Sequence, residues 1–170
     1  MFDKGQLIIY GSNGVCEVTD ITKMSFKGTN ESKLYYVLQP YYQKTGKIFT
    51  PVDNEKVIMR QLISAEEAKA LIDDIPNIES LWVANDKQRE ETYKECIKIH
   101  ECKEYIKIIK TLYLRKQERI AQGKKITATD ERYFKQAEDN LYSELAIPLG
   151  IPKEEMGDYI TKRMEELQEQ

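Results

Sequence analysis

The residues best suited to chemistry are few in this sequence. His100 is its single histidine, and no serine or cysteine stands beside it in the pattern of an activated nucleophile. Cys16, Cys96 and Cys102 are odd in number and fit no Cys-x-x-Cys or zinc spacing. Cys96 and Cys102 fall on different faces of a helix, which reads as free thiols in a reducing compartment. Gly11 and Gly14 stand in a hairpin context, not in the strand–loop–helix of a phosphate loop. No zinc-protease or calcium-loop pattern occurs. Taken together, these absences favour a binding protein over an enzyme, with no cofactor, no metal and no small-molecule substrate expected.

One aromatic side chain stands out instead. Trp82 is the only tryptophan, placed just ahead of a helical pattern and at the head of a basic stretch. Such a ring can insert into or stack on nucleic-acid bases; it can equally be a core anchor that ties a linker to a helical bundle. The net charge of −3 argues against a generally basic nucleic-acid binder, yet it conceals a pattern. Residues 82–125 carry 12 Lys/Arg against 7 Asp/Glu, while residues 126–170 carry 5 against 11. The basic stretch includes Lys87, Arg89, Lys94, Lys98, Lys110, Arg115, Arg119, Lys124 and Lys125. It fits a face presented to phosphates, and it also fits a solvated helix surface laced with Glu–Lys pairs such as Glu90–Lys94.

The elements that must position these residues change character along the chain. Up to about residue 63 the pattern is short strands and tight turns. An apolar run at residues 7–10 precedes a Ser-Asn-Gly turn, and alternation follows over residues 15–24. A turn at 26–30 leads to an aromatic, β-branched strand over Lys33–Pro40, and a turn at 44–46 to a strand stopped by Pro51. A fifth strand falls within 57–62. Such spacing predicts a small SH3- or Tudor-like barrel. Tyr35, Tyr36, Tyr41, Tyr42 and Phe49 supply either strand packing or a binding surface.

After Ile63 the period becomes helical. Ser64 and Glu67 form a capping box, and residues 73–77 break that helix. Another starts at Asn85 or Asp86 and runs through Tyr93 and Ile97 towards His100. From Cys102 a long helix carries Tyr105, Ile108, Ile109, Leu112, Tyr113 and Ile120 at helical spacings, with Gly123 as its C-terminal cap. Thr127 caps a further helix with Asp130 at its third position and Tyr133, Phe134, Ala137, Leu141 and Leu145 on one face. Residues 147–152 interrupt, and 153–167 form a last, acidic helix. The expected fold is α+β in two domains: a β-barrel over 1–63, a connecting helix and linker over 64–76, and an all-helical bundle over 77–170. No stretch approaches the ~18 apolar residues of a membrane span, and residues 1–5 show no signal-peptide pattern, so a cytoplasmic protein is expected.

These residues together resemble a known family. The opening run, residues 2–18 (FDKGQLIIYGSNGVCEV), is similar to that of CarD/CdnL-type transcription regulators, a module shared with transcription–repair coupling factors. Residues 48–54 (IFTPVDN) resemble the family's Val-Pro…Asn segment. Trp82 followed by Asn85, Lys87, Arg89 and Tyr93 resembles the start of its DNA-contacting helix. Residues 112–119, 127–134 and 141–146 follow its helical signature.

The resemblance implies a Tudor-like domain that docks on the β subunit of RNA polymerase, partly by pairing exposed strand edges around Lys33–Pro40 and 47–51. It implies a helical domain at the upstream edge of the melted promoter, where Trp82 wedges into the minor groove at the bubble junction and stabilises the open complex. Lys87 matches a phosphate-contacting position; Asn85, Arg89, Lys94, Lys124 and Lys125 join it as DNA-binding candidates. Where better-known members carry basic polymerase contacts, this chain has Met24 and Phe49, with Lys23, Lys47 and Ile48 beside them. DNA affinity alone should be weak, with polymerase supplying local concentration, and a monomer is expected. Two alternatives remain: a polymerase-binding adaptor whose helices bind protein, and a small-molecule or modified-peptide reader using the barrel's tyrosines.

Overall fold

The computed structural model describes residues 1–25, 32–44 and 46–170. The turn expected at 26–30, and Thr45 within the turn at 44–46, lie outside the described residues. The chain divides into two compact units, Met1–Leu62 and Ile63–Gln170. Residues 64–76, read from the sequence as a connecting helix and linker, lie within the second.

The first unit is a five-stranded antiparallel sheet: β1 (Leu7–Tyr10), β2 (Val15–Met24), β3 (Lys33–Pro40), β4 (Ile48–Pro51) and β5 (Met59–Gln61), ordered β4-β3-β2-β1-β5. β4 and β5 are the outer strands and form no ladder with each other among the described residues, so the sheet is open where a closed barrel was expected. The order also corrects the expectation that β3 is an exposed edge. It is paired on both sides, to β2 and to β4, because the aromatic and β-branched residues that made it look like a strand suit an interior one. One face is the core: Ile8, Cys16, Val18, Tyr36 and Leu38 are buried together, with Ile48 and Met59 packed against them. The β1–β2 turn needs its glycine. Gly11 adopts φ +45°, and a Cβ there would come within 2.8 Å of Val57 Cγ1.

The second unit is helical: α1 (Ala65–Asp73), α2 (Arg89–Ile97), α3 (Cys102–Ala121), α4 (Ala128–Leu149) and α5 (Met156–Gln168). Its ends follow the local chemistry of the sequence. Ser64 and Glu67 make the reciprocal capping box, and Thr127 Oγ1 accepts from Asp130 N–H at 3.1 Å. Lys124 N–H returns to Arg119 C=O at 2.8 Å around Gly123, a Schellman closure. Two expectations change. α4 does not stop at Ile147 but runs through Pro148 to Leu149. A proline in the final turn forfeits only one backbone bond, and Gly150 closes that turn with Ile151 N–H on Ala146 C=O at 3.0 Å. His100 is not helical: it sits between α2 and α3 with φ +55°, buried, its Nδ1 3.3 Å from Tyr105 Oη.

The core of this unit joins Ala68 and Ile72 of α1 to Tyr93, Ile108, Leu112, Leu141 and Leu145. Tyr113 and Ile120, expected on the inward face of α3, are instead exposed. The face that starts with Tyr105, Ile108 and Leu112 continues as Arg115, which turns inward to Asp130, and Arg119, which bonds the Lys125 carbonyl at the surface. α4 carries two buried carboxylates, Asp130 in its first turn and Glu144 near its far end. Asp130 meets Arg115; Glu144, 1% exposed, accepts from Ile63 N–H at 2.9 Å and from Cys102 Sγ at 3.3 Å.

Candidate nucleic-acid interface

Trp82 follows an extended segment that is strapped to α3. Ile78 is buried, and Lys110 Nζ donates to the carbonyls of Ile75 and Ile78 at 2.8 and 2.5 Å. Three residues later, Leu81 N–H donates to Thr111 Oγ1 at 2.7 Å, and that hydroxyl donates in turn to Lys107 C=O at 2.7 Å. Leu81 itself packs on the helical core. The next side chain, Trp82, is 82% exposed. The sequence left open whether this ring is a core anchor; it is not. Its neighbour does the anchoring, and the indole is presented to solvent by a backbone fixed on both polar and apolar sides.

The turn after it, residues 86–88, is organised by Asn85, whose side chain accepts from Gln88 N–H at 3.1 Å. Asn85 and Lys87 are exposed. Arg89 differs from that pair. It is half-buried, with Nη1 donating to Tyr93 Oη at 2.9 Å and Nε 3.3 Å from Asp86. Beneath it lies a buried polar group the sequence reading missed: Arg115 Nε donates to Asp130 Oδ2 at 2.6 Å, and Tyr93 Oη to Asp130 Oδ1 at 3.5 Å. Burial raises the Tyr93 phenol above its ordinary pKa, so it stays a donor to that carboxylate. Asp130 was legible only as a capping residue, because its burial depends on α2 and α3 meeting the start of α4.

Lys94 lies farther along α2, exposed and 3.9 Å from Glu90, which also takes Arg132 at 2.8 Å. Lys124 and Lys125 are exposed beyond the end of α3. Arg119, which ties to the Lys125 carbonyl, is about 12 Å along the helix from Thr111. Trp82, Asn85, Lys87 and Arg89 therefore form one continuous stretch beside Arg115, while Lys94, Lys124 and Lys125 stand at its margins. Among the described residues no three His, Cys, Asp or Glu side chains come together as a metal site, and no helix is long and apolar enough to cross a membrane.

In the first unit, the candidate partner-binding residues divide by face. Ile48 pairs with Leu38 and lies on the core side, whereas Phe49 pairs with Val37 on the opposite side and is 49% exposed. Lys47 is exposed just ahead of β4. Lys23 and Met24 pair with Leu34 and Lys33. That register puts Met24 two strands across and four residues along from Phe49, about 16 Å away, so these residues do not form one cluster. Thr50 and Asn54 shape the bend after β4: Asn54 Nδ2 donates to Thr50 Oγ1 at 2.9 Å and its Oδ1 accepts from Lys56 N–H at 2.8 Å. Nor do Tyr36, Tyr41 and Tyr42 gather into a single cage among the described residues. Tyr36 is buried, its hydroxyl accepting from Phe2 N–H at 2.9 Å, while Tyr41 and Tyr42 stack edge to face at 5.0 Å beyond β3.

The CarD-like/TRCF RID domain family matches this unit over residues 2–63. The N-terminal unit belongs to the CarD-like family. No curated protein matches the chain. A CarD-like unit is a protein-interaction module, and in the CarD-like family its contact is with the β subunit of RNA polymerase. The matched stretch ends at the junction of the two units, so the helical unit is read from its own residues.

Proposed function

We propose that this protein is a non-enzymatic regulator of transcription initiation that holds the polymerase β subunit with its CarD-like unit and promoter DNA with its helical unit, stabilising the open complex. The observation that carries the DNA half is the exposed Trp82 ring beside a pinned Leu81. Exposing so large an apolar ring gains nothing for the fold, whereas a fixed ring is suited to fill the gap left where base pairs part at the upstream edge of the bubble. Lys87, Asn85 and Arg89 follow it for the phosphates, with Lys94, Lys124 and Lys125 at the rim. The polymerase contact uses the outer edge of β4, which has no further strand beside it among the described residues, with the outward Phe49 and the neighbouring Lys47; Ile48, Lys23 and Met24 are its weaker candidates. The protein acts in the cytoplasm as a monomer without a cofactor, and its −6 tail (5 Lys/Arg against 11 Asp/Glu over 126–170) keeps free DNA affinity low.

The test is a promoter footprint of polymerase with and without the intact chain. Extended protection at the upstream bubble edge, lost with Trp82→Ala, is the expected result. A second reading has its own support. Tyr113, Leu114 and Ile120 are exposed on α3, which suits an adaptor whose helices bind protein. An unchanged footprint with polymerase still bound would select it.

A further inference from the structure

Two guanidinium groups of the helical unit converge on one oxygen. Arg89 Nε lies 3.3 Å and Arg115 Nη1 3.5 Å from Asp86 Oδ1. Both arginines are held from behind by groups other than Asp86. Arg115 Nε is bonded to the buried Asp130 at 2.6 Å, and Arg89 Nη1 to the buried Tyr93 at 2.9 Å. Asp86 is different in kind. Its side chain is 80% exposed on a single short turn, and its two contacts are longer than the ~2.7–2.9 Å of a well-made charge-assisted bond. The arginines are thus preorganised without it, and the carboxylate is a loosely seated occupant.

The charges make the seat available to a stronger anion. Asp130 offsets one guanidinium and Asp86 the other. Withdrawing Asp86 leaves one positive charge and two outward N–H groups, a geometry suited to a phosphate oxygen. Glu90 does not compete for it, being taken up by Arg132 and by Tyr133 Oη at 2.8 and 3.1 Å. Asp86 is four residues beyond Trp82, a span of at most about 14 Å. Phosphates recur every ~3.4 Å of axis along a strand, so one lies within reach wherever Trp82 engages DNA.

We propose that Arg89 and Arg115 form a phosphodiester-binding seat that Asp86 occupies in the free protein and yields to a DNA backbone phosphate. The inference rests on the reading of the helical unit as a promoter contact. The test is fluorescence anisotropy of the full chain on a fork-junction promoter duplex across a low-salt series. Asp86→Asn should tighten binding roughly 3- to 10-fold and steepen the log K against log salt slope by about 0.9, one added phosphate. Glu91→Gln makes the same charge change on α2 outside the seat and should leave the slope unchanged. Adding Arg89→Gln to Asp86→Asn should abolish the gain; if that variant melts early, Arg89→Lys, which keeps the charge but loses the planar fork, should do the same.

A gain of equal size from Glu91→Gln, or one that survives loss of Arg89, overturns the seat in favour of long-range charge. No gain from Asp86→Asn while Trp82→Ala still weakens fork binding overturns the seat and leaves the promoter reading standing. Binding indifferent to Trp82, Lys87 and Asp86 alike overturns both.

Discussion

Replacing Trp82 by alanine separates presentation from packing. With 82% of the residue exposed, less than a fifth of a surface of about 250 Å² is withdrawn from water. At ~25 cal/mol per Å², that burial is worth about 1 kcal/mol. A core tryptophan would cost ~3–5 kcal/mol when truncated to alanine. The folding transition of Trp82→Ala should therefore shift by no more than a few degrees, and polymerase binding through residues 1–62 should be unchanged. On the promoter the effect should be large. An aromatic contact with a base is worth ~1–3 kcal/mol, which corresponds to roughly a 5- to 150-fold shorter open-complex lifetime. Trp82→Phe should recover part of it, since a flat apolar ring still fills the junction. The assay pairs a calorimetric melt with open-complex decay after a competitor challenge, both on one protein preparation. A collapse of the melting temperature with unchanged decay for the folded fraction would refute the reasoning, as would normal stability with normal decay.

The remaining predictions test the neighbouring pieces. Phe49→Asp should abolish capture of the polymerase β subunit, whereas Lys47→Ala should cost at most about 1–2 kcal/mol as an exposed pairing charge; tight binding by the Phe49 variant would exclude the β4 face. Thr111→Val leaves the Leu81 N–H without its acceptor, destabilising by about 1–3 kcal/mol. In a double-mutant cycle on open-complex lifetime its effect should vanish once Trp82 is alanine; additive effects would show that the strap does not act through the ring. Asp130→Ala strips Arg115 and Tyr93 of a buried carboxylate and should cost about 3 kcal/mol in denaturant unfolding, the low end for a broken buried pair because Arg115 retains some exposure. Burial pushes the Cys96 thiol from 9.0 up to about 12 and Cys16 to about 11. Both stay protonated in the native state, so thiol reagents at pH 8 should react only after unfolding. Because the folded-state values are raised, this contribution to stability is whole below pH 9 and lost as the pH climbs towards 11–12.

What the sequence made legible in the fold was whatever depends on neighbours a few residues away. Ser64 with Glu67, Thr127 with Asp130, and Gly123 with Lys124 each close a helix end through groups within one turn of chain, and each closes as its residue types require. Strand pairing order is non-local, so the same residues that announce β3 as a strand do not say that it is enclosed on both sides. The face of α3 was misread past Leu112 for a related reason. Helical spacing was followed through apolar residues, but the face there continues as Arg115, held by the buried Asp130, and as Arg119, bonded to the Lys125 carbonyl at the surface.

The site was legible in a different proportion. Periodicity assigns an inward face only where there is a period, and residues 78–85 have none. Trp82 could then be read as anchor or as probe, and only the resemblance favoured the second. The structure rules out the anchor: the bond from Leu81 to Thr111 fixes the backbone beside a ring that is itself exposed. The basic stretch was ambiguous for a comparable reason, since a count of charges cannot distinguish a lysine in water from an arginine bonded to a buried carboxylate. Lys87 is the former and Arg115 the latter. A phosphate-contacting surface needs both kinds: free cations that respond to any phosphate nearby, and fixed guanidinium groups that choose where it sits. On the stretch from Trp82 to Arg89, the exposed Lys87 and the held Arg89 stand two residues apart, so substitutions at Lys87 and at Arg89 should differ in kind. The first should lower affinity evenly across promoters, and the second should shift the register in which Trp82 meets the bubble edge.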